Sequence, residues 1–317
     1  MTDLSPADRS RARARALPGL AAGAVLVVSL AACGGSADPT AVTTPASASG
    51  AVGGGSLIVG SANFSESRIL AEIYAGALSA KGVTATTRLN IGSREIYLKA
   101  LEDTSIDLVP EYTGSLLSFY DKAATAKAPD EVYAAVKGAI PPGFAVLDKS
   151  AAEDKNSIVV TKETAAKWSL TSIGDLAAHN SELTVGAPPE FQTRQQGLVG
   201  LKAVYGVEPA TFLPRAEGLP ELLANGQIQA TNIYTTDPVI PARGFVVLGD
   251  PKALFGSDNV VPLLRKDKVN TVVTTTLNAV SAKLTTAGLT DLLKAVDTDK
   301  KDAKVVAKEW LTANNLG

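Results

Sequence analysis

Apolar residues along this chain fall into two alternating patterns, short continuous runs and longer stretches spaced by three and four. Leu57 to Gly60 is a short apolar run and predicts a buried strand. From Glu66 to Ala80, the residues Ile69, Leu70, Ile73, Tyr74, Ala77 and Leu78 fall on one helical face. Gly82 stands where a left-handed cap would end that helix. Val83 to Leu89 predicts a second strand, Arg94 to Leu101 a helix, and Ile106 to Val109 a third strand. This βαβαβ order with short connections predicts a mostly parallel sheet covered by helices.

A similar rhythm recurs later. Strands are predicted at Ser157 to Val160, Leu183 to Gly186 and Ile228 to Ile233, with a further apolar run at Phe245 to Leu248. Helices are predicted at Gln192 to Tyr205 and Leu219 to Ala224. The chain ends in helical patterns at Thr271 to Leu284, Asp291 to Ala295 and Ala303 to Leu311. Leu292, Leu293, Val296, Val305, Val306 and Trp310 are their expected packing positions. The expected fold is α/β with two lobes, and open sheets of this kind bind ligands beyond the carboxyl ends of their strands. A cleft between two such lobes is a favoured small-molecule site.

The N-terminus follows a different pattern. Arg9, Arg11, Arg13 and Arg15 form a positive region, followed by an apolar run from Leu20 to Leu30 and small residues before Cys33. A membrane-spanning helix needs about 20 apolar residues, so a secretory signal over residues 1–32 fits better than an anchor or a buried helix. Residues 34–55 are Gly, Ser, Ala, Thr, Val and Pro with Asp38 as the only charge, a composition that predicts a flexible tether. Gly53-Gly54-Gly55-Ser56 lacks the Lys-Ser/Thr of a phosphate loop and reads as linker.

Composition narrows the chemistry. The 317 residues carry a net charge of −2, with one Cys and one His. Removing residues 1–32 takes away four arginines and two aspartates, leaving 26 Lys+Arg against 30 Asp+Glu, a charge of −4. Such a balance argues against nucleic-acid binding. One Cys excludes an internal disulfide and a Cys-rich zinc module. One His excludes a multi-His metal site, and His179 reads as a loop residue after a helix, with no triad pattern around it. The adjacent pairs Glu102-Asp103 and Glu153-Asp154 read as solvated loop charges, and Trp168 and Trp310 as packing residues. No cofactor, metal site or catalytic set is expected, and the chain is read as a monomer and not an enzyme.

Particular motifs carry a family resemblance. Ile58-Val59-Gly60-Ser61-Ala62-Asn63-Phe64-Ser65-Glu66-Ser67, Ile91-Gly92-Ser93-Arg94-Glu95 and Ile106-Asp107-Leu108-Val109-Pro110-Glu111-Tyr112-Thr113-Gly114-Ser115 resemble osmoprotectant-binding proteins, the glycine betaine/carnitine/choline-binding components of ABC importers. Val160 to Ala165, Pro189 to Arg194, Ile233 to Asp237 and Val261 to Arg265 continue the likeness to the C-terminal region. Leu30-Ala31-Ala32-Cys33 resembles a lipobox, which implies cleavage before Cys33 and its acylation, and so a protein tethered outside a bacterial membrane.

The resemblance implies a periplasmic-binding-protein fold of type II with two crossing strands. Residues 56–156 and 258–317 would form one lobe and 157–257 the other, closing by a hinge around ligand. It implies permease and ATPase partners. Quaternary ammonium groups are held by aromatic faces and carbonyl oxygens, each face contributing ~0.5–2 kcal/mol, and a ligand carboxylate needs cationic or hydroxyl donors. The implied ligand-binding residues are Asn63, Ser93, Tyr112, Thr113, Ser115, Asp154, Asn156, Arg194, Tyr234 and Asp258. Tyr112 and Tyr234 would be cage walls, or alternatively packed residues at strand ends. Ser115 would be a donor to ligand or would satisfy a local helix N-terminus. Arg194, expected near a helix start where a cation opposes the helix dipole, would bind a carboxylate or form a surface ion pair.

Three positions depart from the family pattern. Ala62 stands where many relatives have Lys, and Asn156 and either Asp258 or Asn259 stand where cage tyrosines are expected. Two of four aromatic walls are therefore expected to be missing. Asp258 could attract a cation directly, and Asp154 would add a carbonyl or carboxylate nearby. A primary amine, polyol or amino-acid derivative is the competing ligand class, and a surface receptor without transport the competing role.

Overall fold

The computed structural model describes residues 56–317, so the expected signal segment, Cys33 and the tether lie outside the described residues. Strands β1 (Leu57–Gly60), β2 (Ala85–Arg88), β3 (Leu108–Tyr112), β4 (Phe144–Val146) and β10 (Val260–Arg265) make one five-stranded sheet in the order β2-β1-β3-β10-β4. Strands β5 (Asn156–Val160), β6 (Thr184–Ala187), β7 (Thr211–Pro214), β8 (Ala230–Tyr234) and β9 (Val246–Val247) make a second, in the order β7-β6-β8-β5-β9.

In each sheet four strands share a direction and one opposes them. β10 runs antiparallel to both β3 and β4, and β5 antiparallel to both β8 and β9. These opposed strands, β5 and β10, are the ones that cross between the lobes. The crossing segments pair with each other on the way, since Glu153 bridges Asn259 antiparallel and Asp154 N–H donates to the Asp258 carbonyl.

Helix α1 (Ser65–Ala80) buries its predicted apolar face completely, including Ile69, Leu70, Ile73, Tyr74, Ala77 and Leu78. It packs between the first sheet and the C-terminal helix Ala303–Ala313. Gly82 takes φ +79° after the helix, and its N–H bonds the Ser79 carbonyl, so the expected cap is present. The opposite face of this sheet is covered by α2 (Arg94–Glu102), α3 (Thr113–Tyr120) and α4 (Pro129–Ala139). The second sheet has its own two apolar clusters, centred on Ile158, Val185 and Leu201, and on Val159, Leu223 and Ile233.

Several expectations are corrected. The single helix predicted over Gln192 to Tyr205 is a short 3-10 turn, Pro189–Gln192, and a separate helix, Leu198–Tyr205. Gly197 breaks it, because its backbone packs so close to the Phe191 carbonyl that a Cβ would overlap it. Arg194 lies between the two elements and opposes no helix dipole. Thr113–Tyr120, Pro129–Ala139 and Lys162–Trp168 are helices that the apolar pattern did not reveal. The helix expected from Asp291 begins earlier, at Thr286, and passes into a π turn, Lys294–Thr298. Val305 is 49% exposed and does not pack. Asp154 is 2% exposed, so it is not the solvated charge its neighbour Glu153 suggested. His179 ends a 3-10 turn, with its ring stacked 4.2 Å from Trp168 and Nδ1 3.1 Å from Glu182.

Candidate functional site

A cavity of about 450 Å³ lies between the two lobes, within the size range of small-molecule sites. The first lobe contributes the loop before α1, the start of α2, the end of β3 and the start of α3. The second contributes the Pro188–Arg194 turn and the end of β8. Asp154 and Asp258, on the two crossing segments, also line it. Carboxyl ends of strands and N-termini of helices thus meet across the gap, where short side chains can reach a ligand from both lobes.

Four aromatic rings line the cavity: Phe64, Tyr97, Tyr112 and Tyr234. Phe64 stands between the two expected tyrosines, with its centroid 5.3 Å from Tyr234 and 6.2 Å from Tyr112, each ring tilted by 33°. The expected shortage of aromatic walls is corrected on this point. Asn156 and Asp258 are not aromatic, but Phe64 and Tyr97 supply rings from other positions. Phe64 directly precedes α1 and reaches its place because the chain there is extended, φ −126° and ψ 159°.

Two guanidinium groups line the cavity, and both are already paired. Arg94 makes two bonds of 2.9 Å to Glu111, which also accepts from Tyr97 Oη at 2.6 Å and from Tyr112 N at 2.9 Å. Arg194 reaches across the gap and makes two bonds of 2.9 Å to Glu95 on α2. Glu190 is 3.8 Å from the same guanidinium. Burial pushes the Glu95 carboxyl up, but the bonds from Arg194 and Ser93 and the Arg194 charge outweigh it and bring its pKa down to about 2.

Three buried carboxylates in or behind the cavity have no cationic partner among the described residues, and half-buried Asp237, which also lines it, has none either. Asp258 accepts from Ser115 N at 2.9 Å and Ser115 Oγ at 2.6 Å. Asp154 accepts from Thr236 N at 3.1 Å and Thr235 Oγ1 at 3.3 Å. Glu66 sits behind the tyrosine wall, accepting from Tyr112 Oη at 2.7 Å and Thr236 Oγ1 at 2.8 Å. Burial is the main cause that raises all three: Glu66 to about 7, Asp258 to about 6, and Asp154 well above the usual range. Desolvation also raises the Tyr234 hydroxyl to about 12, so it stays a neutral donor.

Eight of the ten expected residues meet at this cavity: Asn63, Ser93, Tyr112, Ser115, Asp154, Arg194, Tyr234 and Asp258. Thr113 and Asn156 do not line it. Thr113 is fully buried and its Oγ1 accepts from Asn259 N at 3.0 Å, which ties α3 to the returning strand. Asn156 accepts from Asn232 and donates to Gln196 at 3.3 Å. Ser115 Oγ also lies 2.9 Å from Gln196 Oε1, a second contact between the lobes. Phe64, Glu66, Arg94, Glu95 and Tyr97 were not singled out from sequence, although the first four sit inside the quoted motifs. No helix among the described residues is long and apolar enough to cross a membrane.

Two α/β lobes, two crossing strands and a ligand-sized cavity between the lobes define a solute-binding protein of the periplasmic-binding-protein class. Residues 55–313 match the family described as the substrate binding domain of ABC-type glycine betaine transport systems, and the chain belongs to that family. Its members are substrate-binding transport proteins, not enzymes. The chain is 27% identical over 233 residues to the carnitine transport binding protein OpuCC of Listeria monocytogenes, covering 71% of this chain and 76% of that one. It is 26% identical over 270 residues to the glycine betaine-binding protein YehZ of Escherichia coli, covering 80% and 88%. A solved glycine betaine/carnitine/choline ABC transporter structure superposes with TM-score 0.65 at 25% identity, over 82% of this chain and 99% of that one.

Proposed function

We propose that this chain captures a quaternary-ammonium compound of the glycine betaine, carnitine and choline class between its lobes and delivers it to an ABC permease. The observation that carries this reading is the convergence of Phe64, Tyr112 and Tyr234 on one wall of the inter-lobe cavity. An ammonium bearing only methyl groups has no N–H to donate, and aromatic faces hold it at ~0.5–2 kcal/mol each. Asn63, Ser93, Ser115 and the Asp154 carboxyl supply polar contacts, Asp258 supplies negative charge, and Tyr97 closes the pocket. Thr113 and Asn156 act by holding α3 and Gln196 in place. Acylation at Cys33 tethers the protein outside the membrane, so capture and delivery happen next to the permease.

A thermal-shift series tests the reading. Glycine betaine, choline and carnitine are compared with sorbitol and with proteinogenic amino acids at matched concentration. A ligand present at 100 times its Kd stabilises by ~2.7 kcal/mol. A shift with at least one quaternary ammonium and none with sorbitol is the expected result. Stabilisation by sorbitol or an amino acid alone would overturn it.

A further inference from the structure

The charges around the cavity do not suit a zwitterion. Both guanidinium groups that line it are engaged by carboxylates through two parallel bonds, Arg94 by Glu111 and Arg194 by Glu95. Each fork takes the Nε/Nη2 edge and sets a carboxylate charge against the guanidinium, so a ligand carboxylate would meet a cation already compensated. Ala62, also in the lining, offers no donor from its side chain. On the negative side, Asp154 and Asp258 line the cavity at 2% and 3% exposure, with Glu66 behind the tyrosine wall at 2%. The Ser115 donors satisfy Asp258 without cancelling its charge, while burial favours the protonated forms of Asp154 and Glu66 until a cation enters. Buried charge of one sign is costly until an opposite charge enters.

We infer that Glu95 is a specificity-determining residue: by taking the Nε/Nη2 edge of Arg194 and compensating its charge it weakens the anchor a ligand carboxylate would use, and it tunes the cleft to a net-cationic ammonium over a zwitterionic betaine. The inference rests on the reading of the cleft as a quaternary-ammonium site. A zwitterion must place its carboxylate against a guanidinium that Glu95 already compensates, near the carboxylates of Glu190 and Asp258. A cation carrying the same trimethylammonium group meets neither obstacle. Glu95 is suited to this role because it is on the surface side of the cavity, with a side chain 38% exposed, and its fork with Arg194 is the one that joins the lobes.

The test is titration calorimetry of the mature chain with choline and with glycine betaine, repeated for Glu95→Gln. These two ligands share the trimethylammonium group and differ in the carboxylate. The wild type is expected to bind choline about tenfold or more tightly than glycine betaine, which is ~1.4 kcal/mol or more. Glu95→Gln removes the charge that compensates Arg194 and is expected to move the ratio about tenfold toward glycine betaine. A general loosening of the lobes would weaken both ligands alike and leave the ratio fixed, so an unchanged ratio in Glu95→Gln overturns the role of Glu95. Wild type that binds glycine betaine as tightly as choline overturns the inference and leaves the quaternary-ammonium reading standing. Binding of neither ligand overturns the inference, and with no binding of carnitine either it overturns the quaternary-ammonium reading too.

Discussion

Arg194 and Glu95 are joined across the gap between the lobes by two parallel N–H···O bonds of 2.9 Å, although 99 positions separate them in the chain. The pair therefore reports on closure as well as on charge. Its side chains are 23% and 38% exposed, so water and salt screen it. An exposed pair contributes ~0–1 kcal/mol, with bidentate geometry favouring the upper end. Ligand-free Arg194→Gln is expected to shift the open-to-closed ratio by up to about fivefold, and 1 M salt to do the same to wild type. Small-angle scattering reads this as a larger radius of gyration. Identical curves for wild type and variant at low salt would show that the pair does not hold the lobes together.

Phe64 is the second residue whose role is open to direct measurement. Its ring touches both tyrosine walls, so Phe64→Ala removes one face and loosens the other two. The expected loss is ~0.5–2 kcal/mol of ligand affinity, about 2- to 30-fold in Kd. Phe64→Tyr keeps the face and is expected to bind within about twofold of wild type. Because Phe64 also packs against both apolar clusters of the first lobe, affinities are compared well below the midpoint of unfolding. Full affinity in Phe64→Ala would remove the ring from the site.

The sequence pattern made some of this visible and hid the rest for physical reasons. Leu57–Gly60 and the buried face of α1 follow from apolar spacing alone, since each packs on one continuous core. Helix α3 could not be read that way: its sequence TGSLLSFY has no polar face, and tertiary packing decides its state. Tyr112 and Tyr234 were legible because each ends a strand inside a family motif. Glu66 was not, because an acid in the first turn of a helix is ordinary, and its partners Tyr112 and Thr236 come from distant segments of both lobes. The Arg194–Glu95 fork is a contact between distant segments with no local pattern to announce it. The doubt about aromatic walls came from counting tyrosines at expected positions, while Phe64 serves from a position not counted.

Glu66 gives the ligand-free protein a specific pH dependence. Its ordinary value is 4.5, and burial first, then the nearby Asp237 and Asp258 charges, raise it to about 7 in the folded state. Between pH 4.5 and 7 the folded protein therefore binds a proton that the unfolded chain has released. Stability from this group is full below pH 4.5 and is lost as pH rises toward 7, at up to ~1.4 kcal/mol per pH unit. Asp258, raised from 3.8 to about 6, acts in the same direction over a lower window. Denaturant titrations of wild type are expected to show less stability at pH 8 than at pH 5. Glu66→Gln, which cannot titrate, is expected to flatten the slope between pH 5 and 7. Asp154 and Asp258 keep part of the slope in Glu66→Gln, and a slope left unchanged would assign the titration to those groups alone.

Gly114, one residue into α3, sets two effects of opposite sign against each other. By helix propensity alone, Gly→Ala in a helix gains ~1 kcal/mol. Yet a Cβ on Gly114 would overlap the main-chain carbonyl oxygen of Ser257 on the returning crossing segment. Backbone cannot rotate away as a side chain can, and overpacking of this kind costs ~1–3 kcal/mol. Relief would push the crossing segment from α3 and lengthen both Ser115 bonds to Asp258, each worth ~1.5–3 kcal/mol as a bond to a charged group. The overlap is expected to win. Gly114→Ala should lose a net ~1–2 kcal/mol, a fall of several degrees in Tm for a domain of this size, and ligand affinity should fall with it as Asp258 moves. A variant more stable than wild type would mean that the two backbones are not in contact and that α3 is free of the hinge.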